Sequence, residues 1–345
     1  MYAPFGPEKG RNDKHNVQIT WQDGRVTDSV VTWYGKKTRS EYRLTCFGKD
    51  FPYLNEGVVG DMLVLISTSP STMLAYVLDL DEDIEEIEAT LGVNAFGKWG
   101  VYKDGAPKEE ENEDACFERR IREFSGEFSD FPTNEVFSAA TREIIKTCAK
   151  KSAKPSLDNL LVKAYKTEYE LFRSVERIVC QNAVSGRLFK DIDDFLKVAG
   201  SIMNRRKSRA GRSLENHVET MLQEAGVPHK MRPDLGADGT PDIIIPSVEA
   251  YFDKDYPVDR LFVVGLKTTC KDRWRQVTQE GLRVERKHLL TLQQGITKRQ
   301  LVQMEAAHVS LVVPRALHRF YPDDSPVQPL TVESFVGTAK RLTTP

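Results

Sequence analysis

The stretch LFVVGLK, Leu261–Lys267, is an apolar run that ends in a lysine, and TTCKDR follows it directly. A second apolar run, PDIIIP at 241–246, begins with the acid Asp242. Short apolar runs that are rich in β-branched residues and bounded by turn residues are typical of buried strands. The two runs therefore predict neighbouring strands of one sheet, with Asp242 and Lys267 at the tips of those strands.

An acid and a lysine at adjoining strand tips are suited to hydrolysis of a phosphodiester bond. That reaction uses a metal ion, held by carboxylates, to stabilise charge on the phosphate and to activate a water. A lysine beside the metal can orient the water or offset developing charge. Taken singly, an acid or a lysine is more often part of a surface ion pair, so the prediction depends on the whole set.

The second carboxylate of such a site must come from another part of the chain, because the residue two positions before Lys267 is Gly265. The pattern from Arg273 to Glu280 predicts a helix, and a helix that doubles back along the sheet would return Glu280 towards the metal. Glu215, on another predicted helix, offers a further carboxylate.

Length and composition exclude several classes of protein. With 345 residues, of which 40% are hydrophobic, the chain is long enough for two domains. No apolar run approaches the ~20 residues of a membrane span, and the first residues have no apolar signal-peptide core, so we predict a cytoplasmic protein without a membrane partner. No glycine-rich phosphate loop follows a predicted strand, which disfavours a nucleotide-binding enzyme.

The cysteines give no sign of a metal site or of a disulfide framework. There are five of them, and none has C-x-x-C spacing. We therefore expect them to be reduced and structural.

Charge is segregated along the chain, although the net charge is only −2. Acidic residues concentrate at 78–90 and 108–118, and basic residues concentrate at 35–43 and 204–212. A nucleic-acid binder with a near-neutral total needs such separation, because only its binding face has to neutralise phosphates. Solvated helix faces produce the same pattern, so the clusters alone leave both interpretations open.

The periodicity of the sequence divides the chain into two domains. Short β-type segments fill residues 17–80, and an acidic helix follows at about 81–91. A charged segment without an apolar period predicts a linker at 105–117. It separates a β-rich domain at 1–104 from a second domain at 118–345.

The second domain begins with helices and continues with alternating strands and helices. Two of the predicted helices, at 191–204 and 210–226, are separate from each other. The alternation after Gly239 predicts an α/β fold with a mostly parallel central sheet.

Three stretches of the second domain resemble a known family: NRRKSRAGRSLE at 204–215, PDIIIPS at 241–247 and above all KTTCKDRWRQV at 267–277. They are similar to the catalytic domain of the EcoRII restriction endonuclease and its relatives, which cleave sites built from CC and GG. The resemblance covers roughly 118–345. It implies a restriction-endonuclease-like fold of the PD-(D/E)xK superfamily, with a mixed central sheet flanked by helices.

The resemblance points to a subgroup in which the acid before the lysine has moved to the following helix. It implies a catalytic set of Asp242, Lys267 and Glu280, with Glu215 as an additional acid. It also implies Mg²⁺ as the cofactor, held by Asp242 and Glu280. The resemblance then implies that the site needs no carboxylate at position 265, where this chain has Gly265.

The same resemblance assigns a role to the triplet Lys271, Asp272 and Arg273. A lysine or arginine can donate to guanine O6 and N7, and an aspartate can accept from cytosine N4, so the triplet suits adjacent G·C pairs. In the related enzymes it reads the CC/GG half-site. A helix N-terminus with Asp272 near the cap, making only phosphate contacts, is the alternative.

Further DNA contacts are expected outside the triplet. Arg275 is expected to touch backbone phosphates, and the basic cluster at 204–212 is expected to line the DNA-facing surface. The members of that cluster are Arg205, Arg206, Lys207, Arg209 and Arg212. Tyr251 matches a tyrosine to which a role has been ascribed in such enzymes, and a core or DNA-flanking aromatic is an equal alternative.

The first domain looks similar to the EcoRII effector domain through TWYGKKTRSEYRLTCFG at 32–48 and LDLDEDIEEIEATLG at 78–92. That domain is a β pseudobarrel that binds a second copy of the target and restrains the catalytic domain. The resemblance places on a DNA-contacting strand and loop the residues Lys36, Lys37, Arg39, Glu41 and Arg43. The domain is short here, so the role expected for it is that of an effector or of an extra DNA contact.

Two functions are compatible with these observations. The first is a type II restriction endonuclease that cuts double-stranded DNA with Mg²⁺ at a short palindrome resembling CCWGG or CCNGG. Cutting both strands of a palindrome implies a two-fold homodimer, and a cognate DNA methyltransferase is implied genetically but not as a bound partner. The alternative is a non-cleaving, sequence-specific regulatory protein on a nuclease fold. The presence of Asp242, Lys267 and Glu280 together favours the enzyme.

Overall fold

The computed structural model describes residues 12–35, 41–55, 58–91, 102–103, 106–107, 115–148, 156–184, 188–271 and 273–343. The chain divides into two compact units, Met1–Glu109 and Glu110–Pro345. Much of the predicted linker at 105–117 lies outside the described residues.

The first unit is built on a β-sheet. Its elements are β1 (Asn12–Trp21), β2 (Val26–Tyr34), β3 (Glu41–Thr45), β4 (Met62–Ser69), β5 (Thr72–Leu78), α1 (Asp81–Leu91), β6 (Tyr102–Lys103) and β7 (Ala106–Pro107). The first five strands form a sheet in the order β3-β2-β1-β5-β4, in which β1 is antiparallel to β2 and parallel to β5. Alternate residues of β1, Val17, Ile19 and Trp21, are buried in the core of this unit. The predicted β-rich domain with one acidic helix is confirmed.

The second unit packs helices against a mixed sheet. Its helices are α2 (Ala115–Gly126), α3 (Asn134–Cys148), α4 (Leu157–Val184), α5 (Ile192–Ala225), α6 (Val248–Phe252), α7 (Lys298–Ala306) and α8 (Val332–Thr343). Its strands are β8 (Lys230–Met231), β9 (Ile243–Ile245), β10 (Phe262–Lys267), β11 (Lys287–Thr291) and β12 (Val309–Val312). The strand order is β12-β11-β10-β9-β8.

The sheet of the second unit is parallel in one half and antiparallel in the other. Strands β10, β11 and β12 run parallel, whereas β9 is antiparallel to both β10 and β8. The three isoleucines of β9 are fully buried, which fits a strand covered on both faces. The mixed sheet flanked by helices that the resemblance implies is confirmed, whereas the mostly parallel sheet predicted from the alternation is wrong for β8 and β9, which pair antiparallel.

The helix α5 corrects one prediction, because it is a single helix of 34 residues where the sequence predicted two. It begins after Asp191, whose side chain accepts from the backbone N–H of Asp194, and it ends at Gly226 in the left-handed conformation. No helix breaker of the proline type separates the two predicted segments, and Gly211 is tolerated within the helix at a modest cost.

The cysteines correct a second prediction. Cys116 and Cys148 form a disulfide with their Cα atoms 5.7 Å apart, so the expectation that all cysteines are reduced is wrong for this pair. The two lie in α2 and α3, which share one hydrophobic core. Helix packing brings together residues that are 32 positions apart, and their spacing in the sequence does not reveal that contact.

Candidate active site

Asp242 and Lys267 meet at one edge of the sheet. Because β9 and β10 are antiparallel, with Ile243 opposite Val264, the register continues to Asp242 opposite Gly265, two residues before Lys267 at the end of β10. The Lys267 Nζ donates to Asp242 Oδ2 at 3.2 Å, and the backbone N–H of Leu266 donates to the same oxygen at 2.6 Å. The side chains of Asp242 and Lys267 stay 21% and 27% exposed, so the pair is held in place and still open to solvent.

The vacancy at Gly265 is filled by a neighbouring side chain. A Cβ at this position would lie 2.5 Å from Cγ2 of Val277, which is buried. Val277 belongs to the segment Arg273–Gln279, which is a 3₁₀ helix and not the predicted α-helix. Glycine at 265 therefore lets this segment pack directly on β10.

Glu280 follows that segment and is held by a second close approach. Gly281 has a φ of +59°, and a Cβ there would lie 2.6 Å from Cγ2 of Val263 on β10. Its backbone N–H donates to the carbonyl of Asp238 at 2.7 Å. Glycine is required here for both reasons, and the result is a turn that presents Glu280 at the same strand edge.

The electrostatics show that Glu280 shares this site with Asp242 and Lys267. Burial raises the pKa of the Glu280 carboxyl, the charge of Asp242 raises it further, and Lys267 opposes both. No residue among those described donates a hydrogen bond to the Glu280 carboxylate. A half-buried acid beside another acid, without a donor of its own, is suited to binding a cation.

Glu215 reaches the site from α5 and is paired with two arginines. Its Oε2 accepts from Arg212 Nη1 at 3.2 Å, from Arg232 Nε at 2.9 Å and from Arg232 Nη2. Burial raises the pKa of Glu215, Arg212 lowers it, and the charge of Asp242 raises it. The four predicted catalytic side chains, Asp242, Lys267, Glu280 and Glu215, are thus brought into one electrostatic neighbourhood.

Tyr251 lies in the core behind the turn that carries Glu280. Its hydroxyl donates to Asp238 Oδ2 at 2.5 Å and accepts from the backbone N–H of Arg283 at 3.1 Å. Burial and the hydrogen bond to Asp238 raise the pKa of Tyr251 to about 12. Of the two interpretations of Tyr251, the core position is the one observed, since the residue is 1% exposed.

Arg283 closes the same turn from the other side. Its guanidinium donates to the carbonyls of Ala250, Tyr251 and Tyr256, the first at 3.0 Å and the last at 2.7 Å. The turn is therefore tied to α6 and to the loop that follows it. Sequence reasoning missed Arg283 and Asp238, because neither belongs to a motif and each acts through a tertiary contact.

The donor set fits a divalent cation with few protein ligands. In the part of the chain that the structure describes, no three acidic, histidine or cysteine side chains are close enough to enclose a metal ion. Mg²⁺ keeps several waters and is commonly held by one or two carboxylates together with substrate phosphates. Asp242 and Glu280 match that smaller requirement.

Of the predicted base-reading triplet, Lys271 lies before the 3₁₀ helix and Arg273 is the first residue of that helix. Lys271 is 9% exposed, and its carbonyl accepts from Gln300 Nε2 at 3.1 Å. Asp272 is outside the described residues. Arg275 is exposed with its guanidinium 4.6 Å from the ring centre of Trp274, which leaves it open to a phosphate contact.

The basic cluster on α5 is engaged largely within the second unit. The guanidinium of Arg205 lies 4.0 Å from the ring centre of Phe131, and Arg206 donates to Glu176 at 2.7 and 2.9 Å. Arg209 is 4% exposed and packs among aromatic rings of α4. Its predicted place on a DNA-facing surface does not fit this burial, because its face of α5 packs on α4.

Arg209 also balances a buried acid. Glu168 accepts from Ser138 Oγ at 2.6 Å and lies 2.9 Å from His217 Nε2. Burial raises the pKa of Glu168, but the hydrogen bonds and charges of His217, Ser138 and Arg209 outweigh it and lower the pKa. The arginine is therefore part of a charged core between α4 and α5.

The predicted contacts of the first unit are only partly described. Lys36, Lys37 and Arg39 lie outside the described residues. Arg43 is exposed on β3, a strand at the end of the sheet order, with its guanidinium 5.3 Å from the ring centre of Tyr34.

Comparison with known proteins finds matches for both units. A family model described as the N-terminal domain of restriction endonuclease EcoRII matches residues 4–97, and the EcoRII C-terminal model matches residues 172–336. The chain is EcoRII-like in both units. It is 38% identical over 198 residues to the type II restriction enzyme EcoRII of Escherichia coli, covering 56% of this chain and 49% of that enzyme. The chain thus matches about half the length of this curated relative.

Two solved structures are similar to this chain in fold. Metal-depleted Ecl18kI in complex with uncleaved, modified DNA has a TM-score of 0.50 at 20% identity and covers 66% of this chain and 84% of its own. The complex of restriction endonuclease PspGI with substrate DNA has a TM-score of 0.50 at 14% identity. The match covers 62% of this chain and 93% of the PspGI chain. These likenesses confirm the restriction-endonuclease-like fold. Within the described residues no helix has the length and apolar character of a membrane span.

Proposed function

We propose that this protein is a type II restriction endonuclease that hydrolyses phosphodiester bonds of double-stranded DNA. The observation that carries the proposal is the meeting of Asp242, Lys267 and Glu280 at one sheet edge, with Val277 in the space beside Gly265. This is an arrangement of two acids and a lysine open to solvent. The similarity of both units to EcoRII supports it.

In the proposed mechanism, Asp242 and Glu280 hold a divalent cation, which we take to be Mg²⁺. When bound, such an ion stabilises charge on the phosphate and activates a water. The backbone N–H of Leu266 donates to the Asp242 carboxylate and fixes its orientation. A backbone donor is less mobile than a side-chain donor would be. Lys267 Nζ, 3.2 Å from Asp242 Oδ2, can orient the attacking water or offset charge on the phosphate.

We further propose that Lys271, Asp272 and Arg273 read a CC/GG half-site and that Arg275 contacts a phosphate. Three residues separate the triplet from Lys267. A short segment therefore links base reading to cleavage. The similar proteins Ecl18kI and PspGI are described as complexes with DNA. Cleavage of both strands of a palindrome would use a homodimer with one active site for each strand.

The test is digestion of a sequenced plasmid with Mg²⁺ and mapping of the ends. We expect cuts at a palindrome with CC and GG half-sites, and no cuts when a chelator is added. A protein that binds such duplexes tightly but cuts none of them with Mg²⁺ or Mn²⁺ would instead be a non-cleaving DNA-binding regulator.

The first unit is proposed to bind DNA, as an effector or as an extra contact. Deleting residues 1–104 separates these roles. A large rise in cutting of a single-site plasmid would show restraint, whereas weaker binding to one site would show that the unit helps to hold the primary site.

A further inference from the structure

Arg232 has a backbone conformation that arginine rarely adopts. Its φ is +43°, in the left-handed region, and among the described residues of the second unit only His308, with a φ of +55°, shares this feature outside glycine. Such backbone strain persists only where the surroundings hold it in place, and it is frequent at functional sites. The contacts of Arg232 must therefore hold this conformation in place.

The strained turn lets one residue contact two elements of the active site. Arg232 directly follows β8, and its backbone N–H donates to the carbonyl of Asp242 at 2.8 Å. Its side chain leaves the sheet and donates through Nε and Nη2 to Glu215 Oε2 on α5. An ordinary extended residue would continue along the strand, so the left-handed conformation redirects the side chain towards α5 while the bond to Asp242 is kept.

This contact differs from the other arginine contact of Glu215. Arg212 is three residues earlier on the same helix, so its pair with Glu215 is local to α5. Arg232 is 17 residues later and belongs to the strand edge. Only the second pair links the position of Glu215 to that of Asp242.

Both arginines donate to the same oxygen of Glu215. Among the described residues no donor contacts its Oε1, which leaves that oxygen available to another ligand. The Arg232 side chain is itself 44% exposed, and that of Glu215 is 18% exposed.

We propose that Arg232 is a positioning residue: it holds Glu215 by Oε2 beside Asp242, so that Oε1 can accept a hydrogen bond from a water of the cation that Asp242 and Glu280 would hold. The proposal rests on the proposed function, since it deepens the description of the same site. Arg232 acts through Glu215 and does not itself contact the reacting atoms.

The chain offers a matched control at His308. This residue is also left-handed, its side chain is 49% exposed, and it lies 3.3 Å from a carboxylate, that of Glu285. Replacing either residue by glycine removes the backbone strain and one surface ion pair. The variants Arg232→Gly and His308→Gly should therefore differ only in what Arg232 does for Glu215.

The first experiment compares these two variants with the wild type. In Arg232→Gly the single-turnover cleavage rate should fall ~10-fold or more, as expected when a catalytic group loses its orientation. The gain in affinity for duplex DNA in Ca²⁺ over that in chelator should also shrink ~10-fold. His308→Gly should keep both values within about 2-fold, and the thermal unfolding midpoints of the two variants without metal should agree within ~3 °C.

The second experiment asks whether Arg232 acts through Glu215. In a Glu215→Gln background, the further change Arg232→Gly should alter the Ca²⁺ effect by less than about 2-fold, because the group that Arg232 positions is already lost. An equally large loss in both backgrounds would mean an independent role, such as a direct phosphate contact, and would overturn the proposal. Equal behaviour of Arg232→Gly and the wild type would reduce the pair to a surface ion pair and overturn it too.

The proposal can fail separately from the proposed function. If the wild type cuts no DNA, the shift of its thermal unfolding midpoint on adding Ca²⁺ without DNA becomes the readout. Arg232→Gly should then lose most of that shift and His308→Gly should keep it. A wild type whose midpoint does not respond to Ca²⁺, or equal shifts in all three proteins, would count against Arg232.

Discussion

The strand edge with Asp242 and Lys267 and the basic segment of α5 at 204–212 are both dense in charge, but the fold uses them differently. At the strand edge the pair stays about a quarter exposed and holds an acid that faces solvent. On α5, Arg206 is paired with Glu176 and Arg209 is buried. The number of charges in a segment therefore does not distinguish reactive charges from structural ones. The tertiary partners of each charge make that distinction.

The difference follows from the geometry of the two elements. A strand that ends at a sheet edge releases its last side chain into solvent. A long helix packed on neighbours buries one stripe at a spacing of three and four residues, and Arg209, Ser213 and His217 lie on the stripe of α5 that is buried. This spacing was the signal in the sequence that could have identified Arg209 as a core residue.

The largest effect is expected at the strand edge. Lys267→Ala should lower single-turnover cleavage by about 10³-fold, because the water and the phosphate lose the group that orients or neutralises them, while affinity for DNA in Ca²⁺ stays the same. Lys254→Ala, at an exposed lysine outside both charged regions, is the control and should retain cleavage. Cutting by Lys267→Ala within tenfold of the wild type would remove the lysine from the mechanism.

The next effect tests the α5 side of the comparison. Arg209→Met should lower the free energy of unfolding by about 3 kcal/mol, because Glu168 stays buried and loses one of the groups that balance its charge. Since the pKa of Glu168 is lowered in the folded protein, the loss should be largest above the unfolded carboxyl pKa of about 4.3 and should shrink as the pH falls below it. Urea unfolding at several pH values measures this.

The matched change on the same segment is Lys207→Met, which should change stability by less than about 0.5 kcal/mol and reduce the salt dependence of DNA binding by about one unit of slope. If Arg209→Met leaves stability unchanged and reduces that slope instead, Arg209 faces DNA after all.

A smaller effect is expected from adding a side chain at Gly265, two residues before Lys267. Gly265→Ala should displace Val277, cost about 2 kcal/mol of stability as an overpacked contact, and slow cleavage ~10-fold by moving the turn that presents Glu280. The double variant Gly265→Ala with Val277→Ala should recover most of the rate, since the contact is relieved. Failure of that rescue would mean that the two residues do not share one space in solution.

The smallest effect is expected behind the turn. Tyr251→Phe removes the hydrogen bond to Asp238 and should cost about 1 kcal/mol in unfolding free energy, with only a few-fold loss of cleavage. Tyr76→Phe, at an exposed residue of the first unit, is the control for stability. A loss of cleavage as large as that of Lys267→Ala would instead assign the hydroxyl a direct part in the chemistry.

Residue patterns alone were sufficient to predict the β-rich first unit, the α/β character of the second and the neighbouring strands that end near Asp242 and Lys267. The reason is that strand patterning is local: apolar runs such as Phe262–Lys267 specify a buried strand and the residue at its end. Glu280 was a prediction of a different kind: the residue pattern offered it as one source of the second carboxylate, and the resemblance to the EcoRII family selected it.

Tertiary packing decided the remainder. The segment before Glu280 became a 3₁₀ helix because Gly265 and Gly281 let it lie directly on β10, and the predicted break in α5 disappeared. The disulfide of Cys116 and Cys148, the burial of Arg209 and the contact of Arg232 with Glu215 each join residues far apart in the chain. Such contacts depend on how whole elements pack, and a local pattern of residues carries no information about a partner that lies on another element.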